Sequence, residues 1–546
     1  MWNGAGVGEG VGEGVEVQRW LLALVSALLL VFLIVWHFKR RRMVKLIERL
    51  PGPPALPILG NALDVNIDIM DLFPLGMLVV REYGPIMRAW LGTAPLVVIS
   101  GAKQAETVLC SVRYLDKPHE YSFFHPWLGS TGLLVAEASL WHHRRRLLTP
   151  AFHLKILEQY VEVFTLQTAK MAEKLHHLVG GEVFPIFPYI TNCTLDAICE
   201  TIMGTSVNAQ DNPDSEYVEA VHQIQGMIQQ RMLNFWQQPD FVFRLLGYER
   251  KQTRLLASLH SFTRDIIARR RELYLAQRNH TQEGKRPRLA FLDLLLEYSE
   301  DGRVLSDQDI REEVDLFVFA GHDTTAAAIN WTLYLLGDNM DIQELVYEEL
   351  EGIFGDSTRA ANMEDLREMR YLERCIKEAL RLYPSAPYIG RLLMEDVVID
   401  GYTIPAGTNL MLLSYALHRD PSQFPDPEKF DPDRFLPENI SQRHPFSYIP
   451  FSAGPRSCIG QKFGMLEMKV MLSHFLRQYR IESAVPQDEI KVRSEIVLRP
   501  NDGTLVRLYH RLGSCGGGDS MNSECKPSEG VENTIRKGDY YEFRKR

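Results

Sequence analysis

A chain of 546 residues of which 45% are hydrophobic can bury a large core, which excludes the fibrous and disordered classes. Its formal net charge of −10 excludes a nucleic-acid binder built on a globally basic surface, although a local basic patch can still dock an acidic partner. Seven cysteines (Cys110, Cys193, Cys199, Cys375, Cys458, Cys515, Cys525) form no C-x-x-C pair, which argues against a zinc ribbon and a disulfide framework.

Residues 1–19 form a short acidic tail, and WLLALVSALLLVFLIVW, Trp20 to Trp36, carries no charge. A helix of that length spans roughly 26 Å, at the short end of what crosses a hydrocarbon core. Glu9, Glu13 and Glu16 precede it with only Arg19, and Lys39, Arg40, Arg41 and Arg42 follow it. This asymmetry predicts a single-pass anchor at 20–36 with the body of the chain in the cytosol. A buried core helix is the bland alternative. A cleaved signal is disfavoured because no basic start or small-residue cleavage site is visible, and Trp2 excludes myristoylation.

Residues 37–61 combine the basic run with a proline-rich stretch, where Pro51, Pro53, Pro54 and Pro57 predict an extended, stiff spacer. Next, PIMRAWLGTAPLVVISG predicts a hairpin around Met87 to Ser100. From about Gln104 to Leu382 the apolar residues follow a helical period, and a second zone of strands and turns begins at Val397. The body, 62–511, is therefore expected to be mainly α with small β-sheets. The tail, 512–546, is polar and glycine-rich and reads as disordered.

Four stretches carry chemistry. In WHHRRRLLTPAFH, Trp141 and Arg145 are spaced to reach one side of a helix, while Arg144 and Arg146 read as a solvated face. In FAGHDTTAAAINW, Gly321 beside Ala320 leaves room next to something bulky and flat, and Asp323 and Thr324 add a carboxylate and a hydroxyl in mid-helix. Local back-bonding is the alternative for that run. In EALR, Glu378 and Arg381 share a helical face and can pair.

The fourth stretch is FSAGPRSCIG, Phe451 to Gly460. Phe451 can shield one side of the Cys458 sulfur, Gly460 lets the backbone pass close to something flat, and Arg456 offers a fork for a carboxylate. Cys458 also lies where a helix begins, so free N–H groups can favour its thiolate. One thiolate in such a loop suits the axial position of a haem iron that activates dioxygen.

FSAGPRSCIG matches F-x-x-G-x-R-x-C-x-G and resembles the signature of the cytochrome P450 monooxygenases, a likeness that extends over roughly residues 50 to 511. The resemblance implies that fold, preceded by a transmembrane helix, and haem b with Cys458 as metal ligand. It assigns Trp141, Arg145 and Arg456, with Arg391 in PYIGR, to the haem propionates. It places Asp323 and Thr324 on the proton path to dioxygen and completes the Glu378–Arg381 network with Arg434 of PEKFDPDRF. EEVDLFVFAGHDTTAAAINW, YALHRDP and RHPFSYIPFSAGPRSCIGQKF look like family 4, in the branch of the vertebrate ocular fatty-acid hydroxylase and insect relatives.

Family 4 usually has Glu where this chain has Ala320, and that Glu can esterify a haem methyl. An alanine cannot, and Glu313 is too far along the helix to replace it, so non-covalent haem is expected. The resemblance further implies hydroxylation of fatty acids at or near the ω carbon. It also implies the endoplasmic reticulum membrane, with the catalytic domain cytosolic, and NADPH–cytochrome P450 reductase as electron donor, with cytochrome b5 as a second candidate. MLNFWQQPDFVFRLLGYE, Met232 to Glu249, can touch the bilayer near the substrate channel or pack in the core. The rival substrates are terpenoids, steroids or foreign compounds, since no clean anchor for a carboxylate head group is visible. A reductase-independent peroxide rearrangement is disfavoured by Asp323 and Thr324, and a membrane-tethered haem sensor is the remote non-enzymatic reading.

Overall fold

A computed structural model describes residues 9–280, 290–299 and 304–511. The chain divides into two units, Met1–His510 and Arg511–Arg546. The first is mainly helical with small sheets, as its sequence periods predict. The tail 512–546, predicted to be disordered, lies outside the described residues.

The centre of the body is a helix of 32 residues, Asp307–Asp338, capped by the Ser306 hydroxyl and by Asp309 reaching back to the Ser306 N–H. Its apolar residues surround the whole circumference, as expected of a helix buried on all sides. It packs on the helices Phe187–Ile202, Arg370–Leu382 and Gln461–Gln478. The sequence predicts that Gly321 opens space for a cofactor. The structure corrects this: a Cβ there would lie 2.4 Å from Ile198 Cδ1, so the missing side chain admits a neighbouring helix.

The largest sheet has four strands. Ile86–Leu91 and Ala94–Ile99 form the predicted antiparallel hairpin, and the second pairs in parallel with Asn409–Leu412, which pairs with Ile389–Leu392. The proline-rich stretch lies along the first strand. The N–H of Arg88 donates to the Pro51 carbonyl at 2.8 Å and its Nη1 to the Pro53 carbonyl at 2.8 Å. A Cβ at Gly52 would sit 2.3 Å from the Arg88 carbonyl oxygen, so only glycine lets the stretch lie so close to the strand.

A helix of 39 residues, Glu9–Ile47, leads into the body. Its last turn is anchored there: Ile47 is fully buried, Glu48 pairs with Arg88 at 2.8 Å, and the Trp90 indole donates to Glu48 at 2.9 Å. Arg40 donates to the Thr93 carbonyl, and Arg42 pairs with Asp396. Farther up, Trp20, Leu21, Leu22 and Leu24 are exposed. Among the described residues, no helix is long and apolar enough to cross a membrane. Between Met232 and Glu249, Phe243 is buried in the core, whereas Phe241 and Leu245 are exposed.

Candidate active site

The loop before the helix Gln461–Gln478 turns back on itself: the Cys458 N–H donates to the Phe451 carbonyl at 2.8 Å. Gly454 makes the turn possible. Its φ is +69°, and a Cβ would fall 1.8 Å from the Leu109 carbonyl oxygen. Phe451 packs against the main core, and Gly460 caps the helix that follows. Burial pushes the Cys458 thiol up, while the Gly460 N–H and the Arg145 guanidinium pull it down. The balance leaves a protonated thiol until a metal ion supplies the missing charge. Cys458 keeps exposed surface although the protein encloses it closely.

Two residues before Cys458, Arg456 clusters with two further cations. Arg391 is 2% exposed, and its Nη1 donates to the Gly390 carbonyl at 2.9 Å. Arg456 donates from Nη1 to the Leu134 carbonyl at 3.1 Å and from Nη2 to the Ala136 carbonyl, with its guanidinium 5.0 Å from the Trp141 ring. Lys117 is the third. Burial holds its ammonium well below the usual lysine range, and Arg391 and Arg456 depress it further. Burial likewise brings Arg456 down to about 9, with Arg391 contributing. Among the described residues, none of the three forms an ion pair with a carboxylate. Asp116 offsets Arg456 in part from beyond ion-pair distance; like charges held this close still favour a further anion, and the two propionates of haem fit that need.

Arg145 does not join this cluster: its Nη1 donates to the Ser457 carbonyl at 2.7 Å, next to the sulfur. Arg144 is the correction in that run. Predicted to be solvated, it is 4% exposed and pairs with Asp309, while its Nε lies 3.9 Å from Glu313. It links the helix Ala138–Leu148 to the central helix; Arg146 is exposed, as expected.

On the central helix, the Thr324 hydroxyl donates to the Ala320 carbonyl at 2.7 Å, the back-bonding arrangement that the sequence left as the alternative. The hydroxyl oxygen can still accept. The Ser385 hydroxyl donates to the Thr324 carbonyl at 2.8 Å. Asp323 is 3% exposed and is held by Arg499 Nη2. His222 faces Asp323 and Arg499, and burial brings its imidazole down to about 4, so it is neutral.

Glu378 and Arg381 are fully buried and bidentate, with Nε at 2.7 Å and Nη2 at 2.8 Å from the carboxylate. Arg434 Nε approaches Glu378 at 3.3 Å, and the Asp431 N–H donates to it at 2.9 Å. Arg381 Nη1 also donates to the His418 carbonyl at 3.0 Å and the Pro427 carbonyl at 2.7 Å. The triad thus ties the helix Arg370–Leu382 to the chain that leads into the cysteine loop.

The structure brings Cys458, Phe451, Gly460 and Arg145 together on the sulfur side and Arg391, Arg456 and Trp141 at one edge. Sequence reasoning missed Lys117 and Arg499. LDKPHE carries no motif around Lys117, and Arg499 is 176 residues from Asp323, so no local signal marks either one.

A mainly helical body with a cysteine loop whose Arg456 clusters with Lys117 and Arg391 fits a haem-thiolate protein. The comparisons agree. The family model Cytochrome P450 matches residues 50–507. Cytochrome P450 4c3 of Drosophila melanogaster is 48% identical over 499 residues, covering 88% of this chain and 93% of the relative. Cytochrome P450 4V2 of Mus musculus is 45% identical over 466 residues (84% and 89%), and Cytochrome P450 4c21 of Blattella germanica 42% over 487 residues (87% and 96%). This chain belongs to the cytochrome P450 family, within its family 4, and is a haem-thiolate monooxygenase of the fatty-acid hydroxylase type.

Proposed function

We propose that this chain hydroxylates long-chain fatty acids at or near the ω carbon, holds its haem without a covalent bond, and works from the endoplasmic reticulum membrane. The observation that carries the haem site is the Cys458 loop, whose Arg456 clusters with Lys117 and Arg391. Haem, when bound, supplies dioxygen activation and oxygen-atom transfer to a C–H bond. Cys458 would ligate the iron, and the three cations would hold the propionates. Arg499 fixes the Asp323 carboxylate, and the Thr324 hydroxyl offers an acceptor one residue on, so the pair can pass protons inward through water. Ala320 presents only a methyl where an ester would need a carboxylate, which supports non-covalent haem.

Electrons would arrive from NADPH–cytochrome P450 reductase, with cytochrome b5 as an alternative donor. A groove of about 540 Å³ that includes Phe451 and Ser452 of the cysteine loop is also lined by Arg367, Lys377 and Lys462, and suits an acidic partner. Exposed Trp20, Leu21, Leu22 and Leu24, followed by Arg40, Arg41 and Arg42, support a membrane anchor with the body cytosolic. The proposed domain limits are a tail 1–19, an anchor 20–36, a basic and proline-rich linker 37–61, the catalytic body 62–511 and a tail 512–546. The test is product analysis after incubation with reductase, NADPH and a panel of fatty acids and sesquiterpenoids. Terminal hydroxy acids are expected; turnover of terpenoids alone would overturn the substrate assignment.

A further inference from the structure

We propose that His418 is a positioning residue for the thiolate: it carries the placement of the buried Glu378–Arg381 pair to the point where the chain enters the Cys458 loop. The inference rests on Cys458 as the iron ligand and on no choice of substrate. His418 closes the short helix Ser414–Leu417, in YALHRDP, and is fully buried. Its backbone carbonyl accepts from Arg381 Nη1 at 3.0 Å, and its Nε2 accepts the Ile449 N–H at 2.8 Å. One residue therefore meets the triad with its main chain and the loop with its side chain.

Three hydrogen bonds then run in sequence to the sulfur-bearing residue. His418 holds the Ile449 N–H, the Ser452 N–H donates to the Ile449 carbonyl at 2.9 Å, and the Cys458 N–H donates to the Phe451 carbonyl at 2.8 Å. Ser452 has a φ of +58°, in the left-handed region that a serine rarely adopts. A chain bent against its local preference needs a fixed point on its approach, and the Ile449 N–H is that point. The preceding residue adds a parallel tie. The Tyr448 ring lies 5.4 Å from the His418 imidazole, centroid to centroid, and its hydroxyl donates to the Lys377 carbonyl at 2.9 Å, on the same helix as Arg381.

Imidazole suits this task. A backbone N–H can only donate, so Nε2 must stay unprotonated, and the neutral ring carries its proton on Nδ1. Nδ1 is closed to solvent beside the carbonyls of Leu380 and Arg381 and completes no hydrogen bond with either. Burial, with Arg381 and Arg419 adding to it, brings the imidazole down to about 3, so at neutral pH it remains an acceptor. An apolar side chain of similar size would fill the space equally well, but it would leave a buried N–H without an acceptor on the approach to the loop.

The test uses full-length, haem-loaded protein and follows the absorption band of the reduced, carbon-monoxide-treated form that reports a thiolate ligand. In urea below the unfolding transition, the rate at which this band is lost is compared for wild type, His418→Leu, His418→Gln and His418→Asn. Leu292→Ala, a core substitution on another helix, Phe291–Tyr298, is the control for general destabilisation. His418→Leu strands a buried N–H and should speed the loss by roughly 10- to 100-fold. His418→Gln puts an amide at the place of Nε2 and should restore most of the lifetime, whereas His418→Asn puts its amide at the place of Nδ1 and should not. Leu292→Ala should lower the urea midpoint without that acceleration. A wild-type rate in His418→Leu, or equal acceleration by Leu292→Ala, overturns the proposal. Where His418→Leu yields no folded holoprotein, His418→Gln must outlast His418→Asn, and equal or reversed lifetimes overturn it. Wild-type protein without the thiolate band at the outset refutes Cys458 ligation itself, whatever the variants do.

Discussion

Gly321→Ala adds one methyl where the central helix meets Phe187–Ile202. Its Cβ would lie 2.4 Å from Ile198 Cδ1 and 2.8 Å from Cγ1. Rotation about χ2 of Ile198 moves Cδ1 away but leaves Cγ1, whose place is set by the stiff χ1 of a β-branched residue in a helix. Either the helices separate or Ile198 leaves its rotamer, at about 1–3 kcal/mol. The gain in helix propensity from glycine to alanine offsets about 1 kcal/mol. The net expectation is a loss of roughly 0–2 kcal/mol. Ile198→Ala alone should cost about 2–5 kcal/mol, but in the double variant the clash is gone. The double variant should then be more stable than the sum of the singles by at least ~1 kcal/mol. Urea unfolding of the haem-loaded protein, followed by loss of the thiolate-type spectrum, measures all four corners. Product formed per NADPH consumed should fall with Gly321→Ala, because Thr324 follows three residues later. Additive variants, with Gly321→Ala more stable than wild type, would refute the packing argument.

Glu378→Gln leaves Arg381 charged and fully buried, so it should destabilise by about 3–5 kcal/mol, read from the urea midpoint; a loss under ~1 kcal/mol would show that the pair is dispensable. Ala320→Glu should produce a fraction of chains whose mass after acid unfolding includes one haem, whereas wild type should release all of its haem. For Glu313, burial raises the carboxyl to about 8. The folded state therefore keeps a proton that the unfolded chain gives up in the ordinary carboxylate range. Stability should be full below that range and fall as pH rises through about 8. Glu313→Gln should flatten this slope in thermal unfolding, and an unchanged slope would assign it to other groups.

What the sequence disclosed was local. The Cys458 loop, the Glu378–Arg381 spacing and the hairpin at Ile86–Ile99 each lie within a few residues, where turn chemistry and helical period determine geometry. Contacts between distant segments were not legible. Helical period showed that Arg144 lies on a helix but not that Asp309 waits across from it, so the arginine run looked solvated. The same limit hid Lys117 beside Arg391 and Arg456, and the pairing of Asp323 with Arg499. Gly321 was recognised as a close approach, but the partner proved to be Ile198, because one helix cannot reveal which neighbour fills its notch.

The join at Ile47 and Glu48 has a mechanical consequence. With Glu48 bonded to both Arg88 and Trp90, and Arg40 and Arg42 tied to Thr93 and Asp396, the leading helix meets the body at a fixed bearing, like a mast stepped into a keel. A tilt given to this helix would reach the sheet that carries Arg391 through the contacts of Glu48 with Arg88 and Trp90.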